Sequence, residues 1–188
     1  MDASTIIGIG TVRGGTKSLA KLLQEQGLDV THEGTDSLDW RREFRENRYL
    51  GVRRHLESHD GDVANWLVQG AADLLADIQG SVVVSVRREK DDTVESCLAT
   101  MNERRLRESR SFAGIPFPTY EDMPIREAWE QYWAEYRQRV GSLKASSKSR
   151  VHEVKLEQLG TKEAQAGLAN FLGVEDWTYV EDCHYNQR

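Results

Sequence analysis

The chain has 188 residues, 38% hydrophobic and 30% charged, a balance that suits one soluble globular domain spanning 1–188. Its formal net charge of −6 argues against general nucleic-acid binding, and no apolar run approaches the length needed to cross a membrane. Two cysteines, Cys97 and Cys183, are too few for a disulfide framework, and the start MDASTIIG lacks the pattern of a secretory signal. Reduced thiols in the cytoplasm are therefore the expected setting.

Ile6, Ile7 and Ile9 form an apolar run that is long enough for a buried strand and too short for a helix. Gly10, Gly14 and Gly15 follow and permit a tight turn in which backbone N–H groups approach a ligand. Thr16, Lys17 and Ser18 open a helix with Leu19, Leu22 and Leu23 on its apolar face, and Gly27 stops it. Strand, glycine turn and helix together make an anion site. The first N–H groups of the helix have no internal partners, and the helix dipole is positive there. Arg13 and Lys17 add full charges. The ATP- and GTP-binding pattern GxxxxGK[ST] is a near miss: Gly10 and Gly15 fit, but Thr16 intervenes before Lys17 and Ser18.

Residues Leu28 to Glu33 read as a second strand with His32 and Glu33 at its end, where parallel sheets form their ligand crevice. Asp36 to Leu56 reads as loop and irregular helix. The spacing of Val63, Trp66, Leu67, Gly70, Ala71, Leu74, Leu75 and Ile78 predicts an amphipathic helix over Asp62 to Gln79, ended by Gly80. Ser81 to Arg87 is a valine-rich central strand. Asp92 and Glu95 fit a capping box for the next helix, whose apolar face carries Val94, Cys97, Leu98 and Met101. Cys97 is expected to be a small core residue. Glu103 to Arg110 reads as a solvated charged helix face, and Ser111 to Pro118 as a candidate lid broken by Gly114, Pro116 and Pro118. Ile125 to Val140 is a second amphipathic helix with an aromatic stripe, and Ser142 to Arg150 is a polar connection. Val151 to Leu156 is a strand, and Thr161 to Leu172 is a helix closed by Gly173. This alternation predicts an α/β fold with a central parallel sheet between helical layers.

Arg13-Gly14-Gly15-Thr16-Lys17-Ser18-Leu19 resembles the 5′-phosphosulfate loop of sulfotransferases, which reads roughly K/R-[S/G]-G-T-[T/S/K/R]-x-L after the first strand. Arg88 and Ser96, eight positions apart around Asp92, are similar to that family's 3′-phosphate motif; Glu89 stands where the usual pattern has proline. His32-Glu33 before Trp40, Phe117-Pro118-Thr119-Tyr120, Trp129, Tyr132-Trp133 and Phe171-Leu172-Gly173 extend the resemblance to small bacterial and phage members.

The resemblance implies a three-layer α/β/α, P-loop-like fold. It also implies transfer of a sulfuryl group from 3′-phosphoadenosine 5′-phosphosulfate (PAPS) to a hydroxyl or amine. Arg13, Gly14, Gly15, Thr16, Lys17 and Ser18 would hold the 5′ end, and Arg88 and Ser96 the 3′-phosphate, with Arg87 as the alternative cation. The two cradles are expected at two sheet edges. Arg188 and His184 would close over the nucleotide. Glu33 is the first choice of general base and His32 the second. The family needs no metal. The acceptor would be a small molecule or a peptide, with neither nucleic acid nor membrane as partner. The rival readings are an ATP–magnesium kinase of small molecules and a non-catalytic nucleotide-binding protein of the same fold.

Overall fold

The computed structural model describes residues 5–34, 50–64, 81–100, 123–146 and 150–183. Within them lie five strands: β1 (Ile6–Gly10), β2 (Val30–His32), β3 (Gly61–Ala64), β4 (Val82–Arg87) and β5 (Arg150–Lys155). Every pairing is parallel, and the spatial order is β2-β3-β1-β4-β5. Parallel neighbours cannot be joined by tight hairpins, so helices make the returns. Those described are α1 (Thr16–Glu25), α2 (Leu50–Glu57), α3 (Lys90–Thr100), α4 (Ile125–Ala145) and α5 (Lys162–Leu172).

The order positions the site. The chain leaves β1 toward the β2 edge and fills the gap with β3. It then passes to the other side of β1 to add β4 and β5. The reversal falls between β1 and β4, and ligands in open parallel sheets bind beyond the strand ends at such a reversal. Arg13 follows β1 and Arg88 follows β4, so both lie beyond the carboxyl ends of adjacent strands. The expectation of cradles at two sheet edges is therefore corrected: β1 and β4 are inner neighbours.

Each face of β4 is covered differently, because successive side chains point to opposite sides. Val82, Val84 and Val86 join Leu19, Leu22 and Leu23 of α1 and Leu168 of α5 in one buried cluster. Fully burying a side chain of this size contributes roughly 1.5–3 kcal/mol. Ser85 points the other way, and its hydroxyl lies 2.7 Å from the Tyr136 hydroxyl on α4. Tyr136 donates in turn to the Val86 carbonyl at 3.0 Å, so a polar atom buried on this face is satisfied. The closing segment is tied down by the buried amide of Gln165. Its Nε2 donates to the Leu159 and Val180 carbonyls, and its Oε1 accepts from Trp177 Nε1 and the Val180 N–H. No described helix is long and apolar enough to cross a membrane.

Three local expectations need correction. Asp62 to Ala64 is strand, not the start of a helix; residues 65–80 lie outside the described set. The apolar spacing that begins at Val63 carried the helical period one element too early. Val63 instead belongs to the sheet core, and the buried Asp62 is accommodated by a hydroxyl and an N–H from the β2 end. Helix α3 begins at Lys90, so Asp92 sits inside its first turn and is not the N-cap. The Thr93 N–H and hydroxyl both reach the Glu89 carbonyl, which starts the helix three residues sooner. Helix α4 continues through Ser142 to Ala145, so the expected polar connection from Ser142 is partly helical. The candidate lid, Ser111 to Pro118, falls outside the described residues.

Candidate functional site

The loop after β1 is fastened from several directions. The Gly14 N–H donates to the Thr11 carbonyl at 2.8 Å, closing a turn. The Val12 N–H donates to the hydroxyl of Tyr132, on α4, at 3.1 Å. Gly15 is the N-cap of α1 with φ 99°, a left-handed conformation that glycine adopts without penalty, and no side chain caps the helix. Thr16 and Ser18 are buried, while Lys17 is exposed.

Arg13 also has a positive φ, 59°. For a residue with a Cβ this costs about 1–2 kcal/mol, so the surroundings must hold it. Its Nε donates to Ser96 Oγ at 3.2 Å, and Arg88 Nη1 donates to its carbonyl oxygen at 3.2 Å. Ser96 is 83 residues away along the chain, and Arg88 is 75. Trp133 Nε1 donates to the Arg88 carbonyl at 3.1 Å and fixes the second loop against α4. The Arg88 guanidinium thus meets the Arg13 backbone, and the Arg13 guanidinium reaches Ser96, beside the uncapped start of α1. An anion lowers the energy of such an arrangement through both the full charges and the helix dipole.

Arg87 takes another course. It pairs with Glu89 at 2.8 Å and lies 3.8 Å from Glu153, which also binds Arg137 and Lys144. Its cation is engaged by carboxylates while Arg88 faces the β1 loop. Cys97 is fully buried with Sγ 3.8 Å from the Val12 carbonyl, and burial pushes its thiol up to about 12. A neutral thiol beneath the loop is a packing group, as the sequence leads one to expect.

No protein-family model matches this chain, and no curated protein matches it.

The second half of the site lies at the end of β2. His32 Nε2 is 3.2 Å from Thr16 Oγ1, so the strand end touches the start of α1 and links the two halves. Glu33 follows with φ 55°, the other non-glycine residue in the left-handed region among those described. Its N–H donates to the Val63 carbonyl at 3.1 Å. Burial first, and the negative charge of Asp62 second, raise the Glu33 carboxyl above its ordinary range. Asp62 is fully buried, and its Oδ1 accepts from the Thr31 hydroxyl at 2.7 Å and the Gly34 N–H at 3.1 Å. His55 Nε2, from α2, is 2.8 Å from the same Thr31 hydroxyl.

The structure therefore brings Arg13 into direct contact with both Arg88 and Ser96, with Gly14 to Ser18 alongside. It joins His32 to this group through Thr16 and sets Glu33 next along the chain. Arg188 and His184 lie outside the described residues. Asp62, Thr31 and His55 escaped the sequence reading because β3 was hidden under a helical pattern. Tyr132 reads as part of the aromatic stripe and Trp133 as lying beside it; their polar tips, which hold the two loops, have no separate sequence signal.

Proposed function

We propose that this protein is a sulfotransferase that uses PAPS to sulfate a hydroxyl or amine of a small-molecule or peptide acceptor. The reading takes the parallel sheet and its helices as the three-layer α/β/α, P-loop-like arrangement of that family. One observation carries it: Arg13 Nε bonds Ser96 Oγ while Arg88 Nη1 bonds the Arg13 carbonyl. Two motifs that resemble opposite grips on one bis-anionic nucleotide are adjacent in space. The engagement of Arg87 by Glu89 and Glu153 favours Arg88 as the 3′-phosphate cation.

In the proposed reaction the acceptor oxygen attacks sulfur in line with the bridging oxygen. The new S–O bond forms as the old one breaks, and adenosine 3′,5′-bisphosphate leaves. Charge builds on that leaving phosphate, where Arg13 and the N–H groups of Gly14 to Ser18 stabilise it. The acceptor's proton goes to Glu33. A carboxylate of ordinary affinity is a weak base for a hydroxyl, and the raised value of Glu33 improves the match. His32, held against Thr16, is the second candidate for that proton.

Thermal unfolding with adenosine 3′,5′-bisphosphate, compared with ATP plus magnesium, tests the binding half. A ligand specific to the folded state adds about 2.7 kcal/mol at a hundredfold excess over Kd. The bisphosphate is expected to stabilise and ATP–magnesium is not. Radiolabelled PAPS with a metabolite panel tests transfer. Stabilisation by ATP–magnesium alone would instead support a kinase, and binding with no labelled acceptor would support a non-catalytic nucleotide-binding protein.

A further inference from the structure

Glu33 holds a backbone conformation that its side chain disfavours, and contacts from the residues on either side of it converge on one atom. Asp62 Oδ1 accepts from the Thr31 hydroxyl two residues before Glu33 and from the Gly34 N–H one residue after it. The Glu33 N–H itself reaches Val63, the next residue of the same strand. The clamp thus spans the strained residue from both sides. Thr31 has a single hydroxyl hydrogen, and a carboxylate only accepts, so that hydrogen goes to Asp62. His55 Nε2, 2.8 Å from Thr31 Oγ1, must then carry a hydrogen and donate it. The order His55 Nε2–H, Thr31 O–H, Asp62 Oδ1 follows from counting hydrogens.

The packing leaves no slack. A Cβ on Gly34 would lie 2.6 Å from Thr31 Oγ1 and 2.7 Å from His55 Nε2. Asp62 itself is fully buried at the centre of β3, opposite Ile7 in the register. Burying a carboxylate is unfavourable, and an apolar residue of similar volume often serves folding as well or better. A role beyond folding accounts for its presence at the foot of the turn that bears Glu33.

We infer that Asp62, aligned through Thr31 by His55, is a positioning residue that locks Glu33 in its left-handed turn and aims its carboxylate at the acceptor. The role at the acceptor rests on the reading of Glu33 as general base; the lock itself does not. The ionisable groups around the turn are Asp62 on β3, His55 on α2, His59 just after α2, and His32 on β2. Asp29 also acts on His55. Of these, Asp62 contributes to the raised carboxyl of Glu33.

The test is a carbon-detected NMR titration of the Glu33 carboxyl, assigned with E33Q, together with the backbone couplings that report its φ. It is run on the whole protein, on D62N, and on T31V and T31S. D62N is expected to lower the Glu33 titration midpoint, because a neighbouring negative charge is lost. T31V is expected to release Glu33 from positive φ, and T31S, which keeps the hydroxyl, to restore it. Should D62N fail to fold, the threonine pair carries the test alone. An unchanged φ in T31V, or a φ lost equally in T31S, overturns the lock. Where the protein transfers sulfuryl groups, T31V should lower kcat roughly tenfold with KM for PAPS unchanged. Binding of adenosine 3′,5′-bisphosphate, measured on the same samples, reports on the sulfotransferase reading separately. A protein that fails to bind it but shows the expected NMR changes would retain the lock and lose the proposed reaction.

Discussion

The two strand-end regions of the site use the same backbone device for opposite electrostatics. Beyond β1 and β4, a left-handed Arg13 is held by a serine hydroxyl and a second arginine, and positive charge gathers at an uncapped helix start. Beyond β2 and β3, a left-handed Glu33 is held by contacts to a buried aspartate, and negative charge gathers where water is scarce. The first arrangement suits holding an anion. The second raises the proton affinity of a carboxyl. Under the proposed reaction, the contrast divides binding from proton transfer: positive charge would hold the nucleotide beyond β1 and β4, and desolvation with like charge would serve the acceptor beyond β2 and β3. Thr16 and His32 form a direct contact between the two.

The contrast breaks most sharply by removing each left-handed residue's side chain. Arg13→Ala is expected to weaken both nucleotide binding and transfer, with kcat down by about two to three orders of magnitude. Glu33→Gln should lower kcat by a comparable factor, about 10²–10⁴, and leave affinity for adenosine 3′,5′-bisphosphate unchanged. Calorimetric titration of both variants checks the split. Equal loss of nucleotide affinity in the two would erase the division.

A smaller effect is expected at Ser96. Ser96→Ala removes the hydroxyl that orients Arg13 and should weaken bisphosphate binding by about 1 kcal/mol, with the pH dependence of the rate unmoved. A shift of the rate profile in this variant would mean that the two regions are not separable.

The stability of Glu33→Gln sharpens the comparison further. The folded state raises the Glu33 carboxyl above 4.5, so it binds the proton more tightly than the unfolded chain does. Its contribution to stability is complete below that value and is lost as pH rises through the folded one. At pH 7 the charged side chain is a net cost, and the Gln variant is expected to melt higher than the parent despite its lowered kcat. The advantage should vanish below pH 4. Glu153 runs the other way and lies outside both regions. Burial alone would raise its carboxyl, but the Arg137 hydrogen bond and the charges of Arg137, Lys144 and Arg87 lower it. Its stabilisation is present above 4.5 and lost as pH falls through the folded value. Glu153→Gln should therefore destabilise mildly at pH 7 and have no effect in acid, as denaturant midpoints would report.

The β1–β4 end of the site was more legible in the sequence than the β2–β3 end, for a physical reason. Isoleucines, glycines and a helix start must follow one another at fixed spacing to make β1 and its loop, and Arg88 lies at the end of an unmistakable valine run. The lock on Glu33 depends instead on tertiary pairing. Asp62 looks like the polar start of an amphipathic helix until β3 is seen between β1 and β2. Nothing local announces that Thr31 and His55 will meet, 24 residues apart. The parallel sheet and the helices α1, α4 and α5 were readable from period and punctuation. The extra turn at the end of α4 was not, because Ser142 and Lys144 are polar residues on a helix that simply continues.

The most direct measurement compares adenosine 3′,5′-bisphosphate with adenosine 5′-monophosphate on the parent protein and on Arg88→Ala, by calorimetric titration at fixed ionic strength. One nucleotide gripped at both ends predicts a parent preference for the bisphosphate of at least tenfold, as a charge-assisted phosphate contact supplies about 1.5–3 kcal/mol. That preference should disappear in Arg88→Ala, with a smaller loss for the monophosphate, because Arg88 also holds the Arg13 carbonyl of the 5′ loop. A parent that binds the two alike, or a variant that keeps the preference, would contradict the account.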